Sequence, residues 1–304
     1  MLQLHGIVPP VATPLDEDGK IDHASLHQLS EYLLDNGVHG LFALGSTGEA
    51  AAFDTEERTE VVRTVVDAAR GRVPVLVGIT DTSFNRIVAY AELARALGAD
   101  GVVLSPTFYY MSNQPDIIAL FRAVHAATSL PIIAYNIPSM VKVPFEGDTL
   151  VKLAQEGVIC ALKDSSPDIS ATRENWLRLR EIEGISVLTG LEAVVDLALT
   201  MGLHGAVPGL GNVAPRAYTQ IYELVKAGRL QEAQVIQEKL IRLFNIIRQG
   251  RSGQSFSDAA LGGFKAALKH LGVIKTSRMH TPWQGLGPEE ESAVQDVLSS
   301  SGIF

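Results

Sequence analysis

Short β-branched apolar runs alternate along the chain with longer stretches in which apolar residues recur every three or four positions. The runs are Gly6–Ala12, Gly40–Leu44, Val73–Ile79, Asp100–Ser105, Leu130–Asn136, Val158–Lys163, Ile185–Gly190 and Gly205–Pro208. Most are apolar throughout instead of alternating, the pattern of parallel strands covered on both faces. Of the intervening helical stretches Thr55–Ala69 is the clearest. Val61, Val62, Val65, Val66 and Ala69 share one face, and Thr55 is placed to cap Glu56–Arg58.

The junctions repeat as well. Asn36-Gly37-Val38-His39-Gly40, Leu97-Gly98-Ala99-Asp100-Gly101 and Met201-Gly202-Leu203-His204-Gly205 each set a glycine where a helix should stop and another where a strand begins. Eight strands, each followed by a helix, predict a closed (β/α)8 TIM barrel or a doubly wound sheet. The barrel is favoured, because no Gly-rich dinucleotide fingerprint follows the first strand. After about Pro215 the strands cease, and Gln231–Arg248, Phe256–Leu271 and Pro288–Leu298 read as further helices. The expected organisation is a barrel over residues 1–225 with a C-terminal helical extension over 226–304 packed on it. The polar stretch Gln249–Ser257 is the best candidate for a break.

Composition narrows the function. With 304 residues, 46% of them hydrophobic, the chain can bury a large core without metal clips or disulfides. Its 34 acidic against 25 basic side chains argue against nucleic acid or an anionic membrane as a partner. The single cysteine, Cys160, lies in the apolar run Val-Ile-Cys-Ala-Leu, which excludes a disulfide framework and fits a reducing compartment. No apolar stretch approaches the ~18 residues of a membrane span, and the opening Met-Leu-Gln-Leu-His-Gly lacks the blocks of a signal peptide. A cytoplasmic protein is expected.

In a barrel, chemistry collects where strands end at the C-terminal face. Those ends carry Gly45-Ser46-Thr47-Gly48-Glu49, Ser105-Pro106-Thr107-Phe108-Tyr109-Tyr110, Tyr135-Asn136-Ile137-Pro138, Lys163-Asp164-Ser165-Ser166, Gly190-Leu191-Glu192 and Pro208-Gly209-Leu210-Gly211-Asn212. An ordinary lysine amine is almost wholly protonated at neutral pH. Desolvation at the end of an apolar strand disfavours the ammonium form, which suits Lys163 to Schiff-base chemistry. Its other reading is an ion pair with Asp164 or Glu49 that closes the barrel mouth. Tyr135 is either a core aromatic with its hydroxyl at the rim or a phenol that moves protons at Lys163. Ser46, Thr47 and Gly48 form either a plain turn or a nest of N–H and hydroxyl donors for a carboxylate. His23 and His27 lie four apart on a predicted helix without a third ligand, and read as a solvated face. His204 holds the same place in its junction as His39 and Asp100, and reads as structural. Gly209-Leu210-Gly211 is a weak phosphate-cradle candidate. No metal-ligand spacing is present.

Taken together, these motifs resemble the dihydrodipicolinate synthase/N-acetylneuraminate lyase family of class I, pyruvate-handling aldolases. The resemblance rests on Pro-Pro-x-x-Thr-Pro at Pro9–Pro14, Gly45–Glu49, Tyr135–Pro138, Lys163–Ser165 and the helical tail, and spans nearly the whole chain. It implies a homotetramer built as a dimer of dimers, with no metal and no cofactor beyond a covalent imine. Lys163 would form that imine with pyruvate or another 2-keto acid. Ser46 and Thr47, beside Gly48, would hold the carboxylate, Tyr135 would donate and accept the proton, and Gly190 and Val207 would shape the pocket floor. A tyrosine that crosses the dimer interface to complete a relay through Thr47 would be Tyr109, with Tyr110 as the other option.

Two departures bear on the substrate. The synthase branch usually reads Tyr-Asn-x-Pro-Ser-Arg, its arginine binding the carboxylate of aspartate semialdehyde, whereas here Met140 takes the arginine's place. The neuraminate lyase branch shares Gly-Ser-Thr-Gly-Glu and a hydroxyl two residues after the lysine, here Ser165. Where it carries a tyrosine and two acids for the sugar tail, this chain has Leu191, Glu192 and Ala193. The expected activity is a lyase joining or cleaving pyruvate and a small uncharged aldehyde through a hydroxylated 2-keto-3-deoxy acid, with Glu192 accepting from its hydroxyls. A dehydratase working through the same imine is the nearest variant. The rivals are a dihydrodipicolinate synthase of lysine biosynthesis, a phosphate-binding barrel enzyme using Gly209–Asn212, and a non-catalytic sugar-acid binding protein. The intact Lys163, Tyr135 and Thr47 argue against the last.

Overall fold

The computed structural model describes residues 2–304. Among these, the strands are β1 (Gly6–Ile7), β2 (Leu41–Ala43), β3 (Val75–Gly78), β4 (Gly101–Leu104), β5 (Ile132–Asn136), β6 (Ala161–Asp164), β7 (Ser186–Thr189) and β8 (Gly205–Ala206). Each coincides with one of the apolar runs, trimmed at its ends, and only β6 extends a residue beyond, taking in Asp164. All pair in parallel in the order β1-β8-β7-β6-β5-β4-β3-β2. A parallel bridge between Pro10 and Phe42 closes the cylinder. There Val11 N–H donates to Phe42 O at 2.8 Å and Phe42 N–H to Pro9 O at 3.0 Å. Pro9 and Pro10 have no N–H to give, so this seam is thin and β1 is short.

The helices are α1 (His23–Asp35), α2 (Thr55–Ala69), α3 (Phe84–Ala96), α4 (Gln114–Ala127), α5 (Pro138–Val141), α6 (Gly147–Gln155), α7 (Ile169–Leu179), α8 (Val195–Thr200), α9 (Pro215–Lys226), α10 (Leu230–Leu243), α11 (Phe256–His270) and α12 (Pro288–Ser300). None is long and apolar enough to cross a membrane among the described residues. Two local expectations are corrected. Thr55 is the first helical residue of α2 and not its cap. Asp54 caps instead, accepting from Glu57 N–H at 2.9 Å while Glu57 accepts from Asp54 N–H. A carboxylate there also faces the positive end of the helix dipole. The single helix expected over Gln231–Arg248 ends at Leu243 and tightens into a 3₁₀ segment, Phe244–Arg248. The Asn245 amide reaches back to the carbonyl of Arg242 at 3.1 Å, taking up one of the carbonyls freed at the helix end.

The repeated junctions do one job. Gly37, Gly98 and Gly202 have φ of 79°, 87° and 103°, the left-handed region open to glycine. The residue before the second glycine then fastens the turn to the adjoining strand. His39 Nδ1 accepts from Ile7 N–H at 3.2 Å, Asp100 Oδ2 from Val75 N–H at 2.8 Å and His204 Nδ1 from Val187 N–H at 3.0 Å. His204 is thus structural, as its place in the junction suggests.

Strand side chains alternate between two cores. One lies between sheet and helices. The other fills the barrel with Leu4, Val8, Phe42, Leu76, Val103, Ile133 and Leu188, topped by Tyr135 and Val207. Over this top lies the C-terminal extension, with α11 packed on Phe244–Arg248 and on the turn after β8. Lys265 of α11, 1% exposed, meets the carboxylate of buried Glu49 and donates to Arg278 O at 2.8 Å. Glu49 also accepts from His280 N–H at 2.9 Å. Two charges buried this way must stay together, since removing either strands the other out of water.

Candidate active site

β5 and β6 are in register, with Tyr135 opposite Lys163 and Asn136 opposite Asp164. A period of two therefore turns Tyr135 and Lys163 into the barrel and their two neighbours away from it. Lys163 is 4% exposed and its Nζ lies 3.9 Å from the centroid of the Tyr135 ring. Neither ion pair considered for this lysine forms. Asp164, on the other face, accepts from Asn136 Nδ2 at 2.9 Å, Ser166 N–H at 2.9 Å and Thr172 Oγ1 at 3.1 Å. Glu49 is taken by Lys265. The same Asp164–Asn136 bond ties the ends of the two strands together, which fixes the spacing of Tyr135 and Lys163.

After β2 the chain turns through Leu44, whose φ is 56°, into the Gly45–Glu49 loop. Gly48 N–H is spent on Gly45 O at 3.1 Å, and Gly48 O accepts from Thr13 Oγ1 at 2.9 Å. A Cβ on Gly48 would come within 2.8 Å of Val11 O, so this glycine serves close packing behind the site. Ser46 and Thr47 line the cavity, and their N–H groups have no acceptor among the described residues. Of the expected nest, these two share the cavity with Lys163 and Gly48 does not line it.

The cavity measures about 600 Å³ and gathers Ser46, Thr47, Tyr135, Met140, Lys163, Ser165, Gly190, Glu192 and Val207. A Cβ on Gly190 would sit 1.9 Å from Ser165 Oγ and 3.3 Å from Lys163 Cε, so only glycine leaves both in place. Tyr109 and Tyr110 are 85% and 80% exposed, stack edge to face, and line no part of this cavity. Tyr109 holds a φ of 83°, unfavourable for a residue with a Cβ.

Glu192 answers the question of the Gly-Leu-Gly turn. Its Oε1 accepts from Leu210 N–H at 3.0 Å, so a protein carboxyl occupies the donors that a phosphate would need. The phosphate-cradle reading fails for that reason. Part of the residue reaches solvent, but burial of the carboxyl group pushes its pKa up to about 7, against the opposing pull of the Leu210 and Gly209 N–H groups and Lys163. Below the unfolded value near 4.5 the carboxyl is protonated in both states. As pH rises toward 7 the unfolded chain ionises first, so stability falls across that window. Glu192→Gln is expected to flatten this slope and raise stability at pH 8 by about 2 kcal/mol after discounting for solvent access, as read from denaturant midpoints against pH.

Several residues of the site left no signal in the strand-end motifs. Gln237 of α10 fastens the Glu192 turn, donating to Glu192 O at 2.9 Å and accepting from the N–H groups of Val195 and Asp196 at 3.1 and 3.3 Å. Phe256, Phe264 and Trp283 of the extension also line the cavity.

Residues 3–301 match the dihydrodipicolinate synthetase family. The chain belongs to this family. A DapA-like lyase of Halobacterium salinarum is 32% identical over 100% of this chain and 96% of its own length. The 4-hydroxy-tetrahydrodipicolinate synthase of Phenylobacterium zucineum is 31% identical over 97% and 95% of the two chains. The solved structure of dihydrodipicolinate synthase from Bacteroides thetaiotaomicron superposes with a TM-score of 0.92 at 32% identity, covering 97% of this chain and 98% of that one. YagE of Escherichia coli K12, solved in complex with pyruvate, shares the fold with a TM-score of 0.93 at 24% identity and full coverage of both chains. Membership in the dihydrodipicolinate synthetase family makes this protein a pyruvate-dependent lyase of the class I aldolase type.

Proposed function

We propose that the protein joins pyruvate to an uncharged aldehyde, or cleaves the corresponding 4-hydroxy-2-keto acid, through an imine on Lys163. The observation that carries this is the in-register placement of Tyr135 and Lys163 inside the barrel, beside the free N–H groups of Ser46 and Thr47. The lysine amine adds to C2 of pyruvate and water leaves, giving an iminium ion that acts as an electron sink. The Tyr135 phenol protonates the departing hydroxyl, and the phenolate so formed takes a C3 proton to give an enamine, whose C3 attacks the aldehyde carbon. The carbonyl electron pair moves to oxygen, which takes a proton from the Tyr135 phenol. Hydrolysis frees the lysine and the product, and the reverse sequence cleaves the bond. Ser46 and Thr47 fix the pyruvate carboxylate so that the reacting carbon is held in place. Treating the protein with pyruvate and borohydride should leave a reduced adduct on Lys163, found by peptide mass spectrometry. Its absence would overturn the assignment.

Met140 sets the aldehyde apart from that of the lysine-biosynthetic synthases. A carboxylated aldehyde needs a cation, since burying an unpaired anion is expensive, and a thioether offers only apolar contact. Lys142 is directed elsewhere, its Nζ donating to Ser139 O at 2.6 Å, and the residue does not line the cavity. Wild type should therefore condense aspartate semialdehyde poorly. Met140→Arg should improve kcat/KM for it by ~10²–10³, the worth of a charge-assisted pair. Efficient wild-type turnover, unaffected by the substitution, restores the synthase reading.

The exposed Phe108–Met111 tip is read as the part of the chain that seats on a second copy, bringing Tyr109 or Tyr110 to the partner's Thr47 in a cytoplasmic homotetramer. Activity should then require at least a dimer. A fully active monomer in sedimentation would remove the tyrosine relay.

A further inference from the structure

One wall of the cavity has a composition that the strand-end motifs do not foretell. It comes from the C-terminal extension and presents Phe244, Ile247, Phe256, Leu261, Phe264 and Trp283. Phe256, first residue of α11, is 67% exposed, and Met140 is 49% exposed, so large apolar surfaces stand open to water along the same cavity. Such surface is costly in water and is repaid when an apolar group covers it. Of the charged groups other than Lys163 that border the cavity, Glu49 and Glu192 have the wrong sign for an acid, and the buried Arg58 keeps only its Nε without a partner. Glu49 is paired with Lys265, and Arg58 donates to the carbonyls of Ala50 and Gly78 at 2.8 and 2.6 Å with its guanidinium over the Tyr90 ring. Glu192 accepts from Leu210 N–H, which leaves it less capacity for a substrate hydroxyl. On the extension's side only Ser257 offers a side-chain hydroxyl. A polyhydroxylated chain lying there would give up its water for aromatic rings and recover few of its hydrogen bonds, from Ser257 and the Trp283 indole N–H.

From this we infer that the aldehyde carries an aryl or branched alkyl substituent, seated against Phe256, Phe264 and Trp283, in place of the hydroxylated chain that the neuraminate-lyase-like motifs suggest. The product is then a 4-hydroxy-2-keto acid bearing that apolar group on C4. The inference rests on the imine chemistry proposed above, and its test separates the two. Pyruvate is supplied with benzaldehyde, 3-methylbutanal, glyceraldehyde or succinic semialdehyde, and kcat/KM is measured for each alongside borohydride trapping on Lys163. Benzaldehyde and 3-methylbutanal should exceed glyceraldehyde by at least about tenfold, with succinic semialdehyde last. Phe256→Ser, at a largely exposed position, and Trp283→Ser should each lower the benzaldehyde-to-glyceraldehyde ratio by roughly tenfold, mainly through KM. If Lys163 is trapped but glyceraldehyde is used as well as benzaldehyde, or neither serine variant moves the ratio, the apolar assignment is wrong and the imine chemistry stands. If no adduct forms on Lys163, both fall together.

Discussion

Replacing Lys163 with alanine is expected to abolish turnover and to leave no pyruvate trapped by borohydride. No other amine can stand in. Lys265 is buried against Glu49, and Lys142 lies outside the cavity with its ammonium on Ser139 O. Without the iminium there is no sink for the electrons of the breaking bond, so the whole of the covalent advantage goes, and not a fraction of it. The fold should survive, because Lys163 makes no ion pair whose loss would strand a buried charge. An unchanged melting curve alongside the lost activity would separate chemistry from unfolding. An adduct appearing on another lysine of the variant, with activity retained, would sink the assignment of the nucleophile.

Tyr135→Phe should act differently. The ring stays, so the contact with Lys163 Nζ at 3.9 Å from its centroid and the packing against the barrel core are kept. Only the phenol is lost. Imine trapping should persist while kcat falls by roughly 10²–10⁴, the usual size of positioned proton transfer. Trapping rate and kcat, measured on one preparation, give the distinction. If trapping falls as far as kcat, Tyr135 shapes the site and carries no proton for the bond-forming step.

The barrel was legible because its strands are buried on both faces and so are apolar throughout. Lys163 and Tyr135 stood out because a lysine and a tyrosine end such runs, and strand pairing then put them side by side. What sequence left open depended on partners remote along the chain. Glu49 had several lysines to choose from, and only the packing of α11 over the barrel selects Lys265. Gln237 reads as one more polar residue on an amphipathic helix until its amide is seen bonded to the Glu192 turn. Phe256 and Trp283 belong to no strand-end motif, and their place in the wall follows from how the extension lies over the mouth. Asp54 and Thr55 are both good capping residues, so sequence alone does not separate them, and helix-end geometry selects the aspartate.

The cavity is assembled from two lengths of chain that answer to different demands. Its floor, from Ser46 to Val207, is held by strand register and by glycines that tolerate no side chain, so almost any change there disturbs the reaction itself. Its roof, from Phe244 to Trp283, rests on the barrel through Lys265 with Glu49 and through Ile247 and Phe264 in the core, while Phe256 and Trp283 line the cavity from outside that core. Mutation can therefore vary the roof while the floor stays constant. That separation gives evolution, or an engineer, a way to exchange the aldehyde without rebuilding the catalyst.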